Sequence, residues 1–251
     1  MTTSSSPLRG AALDDETGLH GRGRAELDAG YEALEEAERI WIAEGRTPSG
    51  WKIGLTSRPA QQRFGAAGPC FGRLFADMSA AAGSTIGSDR FEKPRVEAEV
   101  AFEIGRDLSP GQPLVEAVVA VMPAIEIVDS RHPKGPPSLG ALIADNVSAA
   151  GYVLGPATEF DADLDLARCS ANILRNGAFE CAGSGAECLG SPLRALDWLA
   201  RELDRRGRRL RAGEIVLSGS LIVPFAAFPG DTVEVGLESI GTVSISFSGE
   251  A

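Results

Sequence analysis

At 251 residues, with 43% hydrophobic content, the chain is long enough for one large domain or a small one with an extension, and either can bury a sizeable core. A formal charge of -11 argues against nucleic acid or anionic membrane as a main partner, leaving a small anionic ligand open if a metal inverts the local field. Four cysteines without a CxxC pair, and no apolar signal segment at the start, predict reduced thiols in a cytoplasmic protein.

Residues 1–19, with the opening Thr2-Thr3-Ser4-Ser5-Ser6-Pro7, lack the apolar content to pack and are expected to form a flexible tail. A helical N-terminal segment is expected over 20–50, where Leu27, Tyr31, Leu34, Ala37, Ile40 and Ile42 recur at roughly helical spacing with acidic residues between them. From 51 to 251 the pattern predicts a β-rich domain of short runs separated by Gly and Pro, with one further helix near Ser191. Ser191 can cap that helix, and Pro192 suits its first turn. Leu193, Leu196, Leu199 and Leu203 form its buried stripe, and Gly207 stops it. Glu214 to Ser218, Thr232 to Leu237 and Thr242 to Phe247 then read as strands, the last two joined by a Gly-containing turn. The longest apolar stretch, Leu114 to Val128, is broken by Glu116, Pro123 and Glu126 and falls short of a membrane span of ~20 residues. The fold class is α+β.

Glu97 and Glu99 lie two apart in Val96-Glu97-Ala98-Glu99-Val100-Ala101-Phe102, so a strand puts both on one face; Glu126 interrupts a second apolar run, Pro123 to Val128. On pattern alone they fit the solvated face of half-buried strands, or a buried site where something cationic neutralises them. With only two histidines in the chain, three carboxylates suit a hard divalent ion, Mg²⁺ or Mn²⁺, better than zinc. Glu103 shares their parity and is expected to face solvent.

In Gly50-Trp51-Lys52-Ile53-Gly54-Leu55-Thr56, alternation puts Trp51, Ile53 and Leu55 on one face and Lys52, Gly54 and Thr56 on the other. Lys52 is either a surface lysine or, if it faces the carboxylates, a group that holds an anionic oxygen or passes a proton. Asp77 alone reads as a strand-end aspartate, and Asp145-Asn146-Val147-Ser148 as turn and capping residues. Gly183-Ser184-Gly185 lacks the context of a phosphate loop and reads as a turn. His20 and His132, the only histidines, give little support to a Ser-His-Asp or Cys-His mechanism.

Taken together, these motifs resemble the 2-keto-4-pentenoate hydratase and 4-oxalocrotonate decarboxylase branch of the fumarylacetoacetate hydrolase superfamily. The matching blocks are GWKIGLTS (50–57), FGRLFADM (71–78), VEAEVAF (96–102), PAIEIVDSR (123–131), ADNVSAAGYVLG (144–155), ECLGSPLRALDWLA (187–200) and LSGSLIVPFAAFPGDTVEV (217–235). They occur in family order and cover most of the chain after residue 50. The resemblance implies a mixed β-sheet roll and a homo-oligomer acting in aromatic catabolism, with metal on Glu97, Glu99 and Glu126. It also implies an active-site Lys52 with Asp77 as acidic partner, and Ser148, Leu74 and Arg131 along the substrate pocket. Between Arg131 and Ile143 the chain departs from the family, with His132-Pro133-Lys134-Gly135-Pro136-Pro137 replacing a tryptophan-containing segment.

In the activity so implied, a 2-hydroxy-2,4-dienoate chelates the ion through its carboxylate and C2 oxygen. Lys52 and Asp77 move protons, and water adds at C4 to give a 4-hydroxy-2-oxo acid. The same site could decarboxylate a 2-oxo-dioate, hydrolyse an acylpyruvate with a carboxylate base, or run another enol-type reaction in biosynthesis. A non-catalytic subunit of a complex is the reading from a different class.

Overall fold

The computed structural model describes residues 22–109 and 111–249; the expected tail over 1–19 and His20 lie outside the described residues. Four α-helices occur there: α1 (Arg22–Ala43), α2 (Arg58–Phe64), α3 (Leu139–Ala144) and α4 (Pro192–Arg205). The first seven strands are β1 (Pro48–Gly54), β2 (Cys70–Phe75), β3 (Ser79–Ala80), β4 (Thr85–Gly87), β5 (Arg95–Ile104), β6 (Val118–Val128) and β7 (Ala149–Leu154). The remainder are β8 (Thr158–Glu159), β9 (Ser170–Arg175), β10 (Ala178–Ser184), β11 (Ile215–Leu217), β12 (Phe225–Ala226), β13 (Thr232–Leu237) and β14 (Gly241–Ser248). A nine-stranded mixed sheet runs β2-β1-β11-β5-β6-β7-β3, with β12 on β5 and β8 on β6, and a five-stranded sheet runs β10-β9-β13-β14-β4. The α+β expectation and the mixed β-sheet roll hold.

Period-two alternation divides the large sheet into two environments. Val96, Ala98, Val100 and Phe102 of β5, with Ile125 and Ile127 of β6, enter the principal core alongside Val233, Val235 and Ile245 of the small sheet and Leu196, Leu199 and Leu203 of α4. The other face of β5 and β6 presents Glu97, Glu99 and Glu126. Further along that face the sheet is sealed by a smaller core containing Leu74, Phe75, Met122, Tyr152 and Leu217. One sheet thus has a dry apolar side and a side that begins polar and ends apolar.

The helices follow the sequence only in part. On α1 the buried stripe is Tyr31, Leu34 and Glu38, whereas Ile40 and Ile42 are exposed. Glu38 can be buried because Arg73 and Arg208 pair with it at 3.1 and 2.7 Å. Arg73 also bonds Glu214 at 2.9 Å and lies over the Trp51 ring, so this ion network ties α1 to β2 and to the segment entering β11. α2 and α3 were not signalled by hydrophobic period: α2 buries no residue, and α3 has only six. On α4 the Ser191 hydroxyl makes no capping bond, and Leu193 is only partly buried. No helix among the described residues is long and apolar enough to cross a membrane, and all four cysteines are free thiols.

α1 and α3 meet at backbone distance through two glycines. A Cβ on Gly30 would lie 2.9 Å from the Gly140 carbonyl oxygen, and a Cβ on Gly140 would lie 2.8 Å from the Glu26 carbonyl oxygen. Gly30→Ala should therefore destabilise the protein. The ~1 kcal/mol that alanine ordinarily adds inside a helix is outweighed by ~1–3 kcal/mol of overpacking. Urea unfolding reads the sign, and an unchanged or higher midpoint would mean that the α1–α3 contact yields freely.

Candidate metal centre and active-site cavity

The register of β5 on β6 sets Glu97 directly opposite Glu126, with Glu99 one alternate position further along, opposite Ala124. One oxygen from each of the three carboxylates lies within 4.8 Å of the others. Like charges directly across a ladder repel, and here Glu99 and Glu126 are fully buried while Glu97 is half-buried. Burial, followed by the charges of Glu126 and Glu97, pushes the Glu99 carboxyl well above the usual carboxylate range. Burial also raises Glu126 to about 7 against the opposing pull of Lys52. Glu99 Oε2 accepts a 2.7 Å bond from the Gly219 N–H, but Glu99 Oε1 and both Glu126 oxygens accept none.

Lys52 enters from β1 and is 2% exposed. Its Nζ donates to the Val147 carbonyl at 3.2 Å and lies 3.1 Å from Glu126 Oε1, an ion pair not aligned as a hydrogen bond. Burial alone draws the ammonium pKa down, but Glu126, Glu97 and Glu99 together outweigh it and leave Lys52 raised, hence protonated. One ammonium cannot balance three carboxylates. Orphaned buried acceptors in an all-oxygen cluster are what a hard divalent cation satisfies, so these residues fit such an ion.

A cavity of about 870 Å³ opens over Lys52 and Glu97. Its lining includes Thr56, Arg63, His132, Ser148 and Ile222, and the segment 132–136 forms part of its wall. Lys93 Nζ donates to the Pro133 carbonyl at 3.0 Å and straps that wall to the residues before β5.

The structure brings Lys52, Glu97, Glu99, Glu126 and Ser148 together and leaves three expected residues elsewhere. Ser148 lines the cavity, its hydroxyl donating to Asp145 Oδ2 at 3.1 Å. Asp77 does not reach Lys52. It follows the end of β2 beside Arg46, with a side chain 57% exposed and bonded to that arginine at 2.9 and 3.1 Å. Because Phe75 pairs with Pro48 and Gly72 with Lys52, Asp77 sits beyond the far end of β1, at least ~13 Å along the strand at ~3.3 Å per residue. Leu74 is fully buried in the smaller core, away from the cavity lining. Arg131 is held by Asp145 and lines a second cavity of about 480 Å³, which adjoins the first along Glu92, Asp129 and Ser130. Glu103, expected toward solvent, is half-buried.

Two contributions escaped the sequence reading because they are main-chain groups: the Gly219 N–H on Glu99 and the Val147 carbonyl on Lys52. The first lies in the Leu217-Ser218-Gly219-Ser220 block, a glycine just after a strand. The second lies in the Asp145 to Ser148 stretch read only as a turn.

Known proteins share this fold and much of this sequence. Residues 67–247 match the family described as Fumarylacetoacetate (FAA) hydrolase C-terminal. The chain is 41% identical over 228 residues to 2-keto-4-pentenoate hydratase 2 of Dechloromonas aromatica, covering 89% of this chain and 87% of that one. It is 37% identical to 2-oxo-hept-4-ene-1,7-dioate hydratase of Escherichia coli, over 88% of this chain and 86% of the other. Among solved structures, 4-oxalocrotonate decarboxylase from Pseudomonas putida G7, complexed with magnesium and adipate, superposes with a TM-score of 0.83 at 28% identity, covering 88% and 86% of the two chains. The matched segment, the near full-length identity and the shared fold make this chain a member of the fumarylacetoacetate hydrolase family.

Proposed function

We propose that the protein is a divalent-metal-dependent hydratase that converts a 2-hydroxy-2,4-dienoate and water into a 4-hydroxy-2-oxo acid. The observation carrying this reading is the Glu97–Glu99–Glu126 cluster, with its buried unsatisfied oxygens, beside the buried Lys52 at a cavity of about 870 Å³. Hydratases about 40% identical over most of the chain support the reaction class. Mg²⁺ or Mn²⁺ suits the oxygen donors, and an ion held by the three glutamates would supply Lewis acidity at the C2 oxygen of a small 2-oxo acid.

The chain's own residues do the remainder. The Lys52 ammonium, kept charged by its acidic neighbours, attracts the anionic end of the substrate and can donate a proton. The Ser148 hydroxyl, fixed by Asp145, offers a directional contact along the cavity wall. In the overall change the C2 hydroxyl loses its proton and the terminal carbon gains one; water then gives hydroxyl to C4 and hydrogen to C3. With Asp77 paired to Arg46, the proton traffic at the distal carbon falls to groups that line the cavity. Decarboxylation of a 2-oxo-dioate is the second reading, favoured by the fold match to 4-oxalocrotonate decarboxylase. Assembly into a homo-oligomer belongs to the same proposal, and light scattering of the purified chain checks it.

Loss of the dienol absorbance without CO₂ release is the expected assay result; stoichiometric CO₂ would assign the decarboxylase instead. Lys52→Ala should lower kcat by ~10²–10⁴-fold, and full activity would remove Lys52 from the reaction. Chelator should abolish turnover, with Mg²⁺ or Mn²⁺ restoring it. At a hundredfold excess over Kd the ion should raise unfolding stability by about 2.7 kcal/mol. Glu126→Ala should lose that increment in thermal or urea unfolding, and retention of it would place the ion elsewhere.

A further inference from the structure

We infer that Asn146 is a positioning residue for Lys52, clamping a left-handed turn to β2 so that the Val147 carbonyl fixes the lysine's Nζ. This rests on the reading of Lys52 as a proton-handling group.

Asn146, Val147 and Ser148 have φ values of 53, 52 and 56°, three consecutive non-glycine residues in the left-handed region. That region is sparsely populated for side-chain-bearing residues, and a β-branched valine suits it least. Such a run persists only where its surroundings hold it. The holding group is the Asn146 side chain, itself buried: Oδ1 accepts from the Arg73 N–H at 2.6 Å and Nδ2 donates to the Arg73 carbonyl at 2.8 Å. Both ends of one amide are thus bonded to one residue of β2, as a neighbouring strand would be. At the other end of the turn, Asp145 accepts from the Ser148 hydroxyl at 3.1 Å.

The turn presses on β1 and β2 at the rung that carries Lys52. Gly72 pairs with Lys52, and a Cβ there would lie 2.7 Å from the Asn146 carbonyl oxygen. A Cβ on Gly54 would lie 2.5 Å from Val147 Cγ1. Both glycines let the turn approach closely enough for the Val147 carbonyl to take the Lys52 ammonium at 3.2 Å. Asn146 lines the second cavity and is absent from the lining of the one over Lys52, so its effect on substrate there passes through Val147 and Lys52.

A double-mutant cycle on the metal-loaded full chain separates positioning from plain stability. Asn146→Gly tolerates the left-handed backbone and removes only the clamp. Alone it should lower kcat by roughly 10- to 100-fold, with KM and the Mn²⁺ dissociation constant held within about twofold. In a Lys52→Ala background the same substitution should change the residual kcat by less than about twofold, because the group it positions is gone. Asn146→Asp, which keeps the acceptor for the Arg73 N–H but opposes the Arg73 carbonyl with a second acceptor, should behave alike and serves if the glycine variant does not fold. Equal losses in both backgrounds, or undiminished kcat in the single variant, overturn the proposal. So does failure of both variants to fold, which would assign Asn146 to folding alone. Full activity of Lys52→Ala would sink the functional reading along with this one, whereas additivity on an impaired Lys52→Ala sinks the positioning role alone.

Discussion

Three carboxylates crowded onto two adjacent strands set the terms for the rest of this molecule. At 4.8 Å, two like charges repel by roughly 3 kcal/mol in a medium of effective dielectric ~20, and the cluster contains three such pairs. Lys52 offsets part of this. The remainder leaves two alternatives, protonation or a bound cation, and burial, which raises the carboxyls of Glu99 and Glu126, acts in the direction of the first. A divalent ion held there would reverse that preference. The register that opposes Glu97 to Glu126 cannot slip by one residue, because a slip would turn the carboxylates into the principal core and Ile125 and Ile127 out of it.

Fixing that register is the work of the opposite side of the sheet. Apolar side chains of β5 and β6 lock against the small sheet and α4, while an ion network joins Glu38, Arg73, Arg208 and Glu214 around Trp51. Removing one partner of such a buried set strands the others, an effect of about 3–5 kcal/mol in comparable cases. Arg73 belongs to both sides. Its guanidinium sits in the network that anchors α1, and its main-chain N–H and carbonyl are gripped by Asn146. A single rung of β2 therefore connects the helical packing to the turn that meets Lys52.

Much of this was legible in the sequence because it depends on local period. Alternation announced a shared face for Glu97 and Glu99, Glu126 stood out as a lone carboxylate in a second apolar run, and the same rule put Lys52 opposite Trp51 and Ile53. The β13–β14 hairpin and the leucine stripe of α4 were equally readable. What failed were positions whose environment is set by long-range pairing. Asp77 lies only five residues past Gly72, yet the antiparallel course of β2 carries it away from Lys52 toward Arg46. Ile40 and Ile42 fit a helical stripe but lost the buried face to Glu38, whose partners come from β2 and from beyond α4. The Val147 carbonyl and Gly219 N–H could not be seen at all, since a main-chain group has no letter of its own.

The two ends of the cavity answer to different constraints. Glu97, Glu99, Glu126 and Lys52 stand on strands whose side-chain directions are dictated by the ladder, so the reacting end tolerates little drift. Much of the remaining wall comes from α2, from the segment 132–136 and from residues 220–224, outside the main ladders. Loops of this kind accept substitution and insertion far more readily than strands. Lys93 and Arg95 direct their donors to the carbonyls of Pro133 and Pro224, so their charges support the wall as well as facing the cavity. That division leaves the segment His132 to Pro137 free to vary without disturbing the carboxylate cluster. The loops can change what the cavity accepts, whereas the carboxylate cluster is tied to the register of the sheet and cannot shift without it.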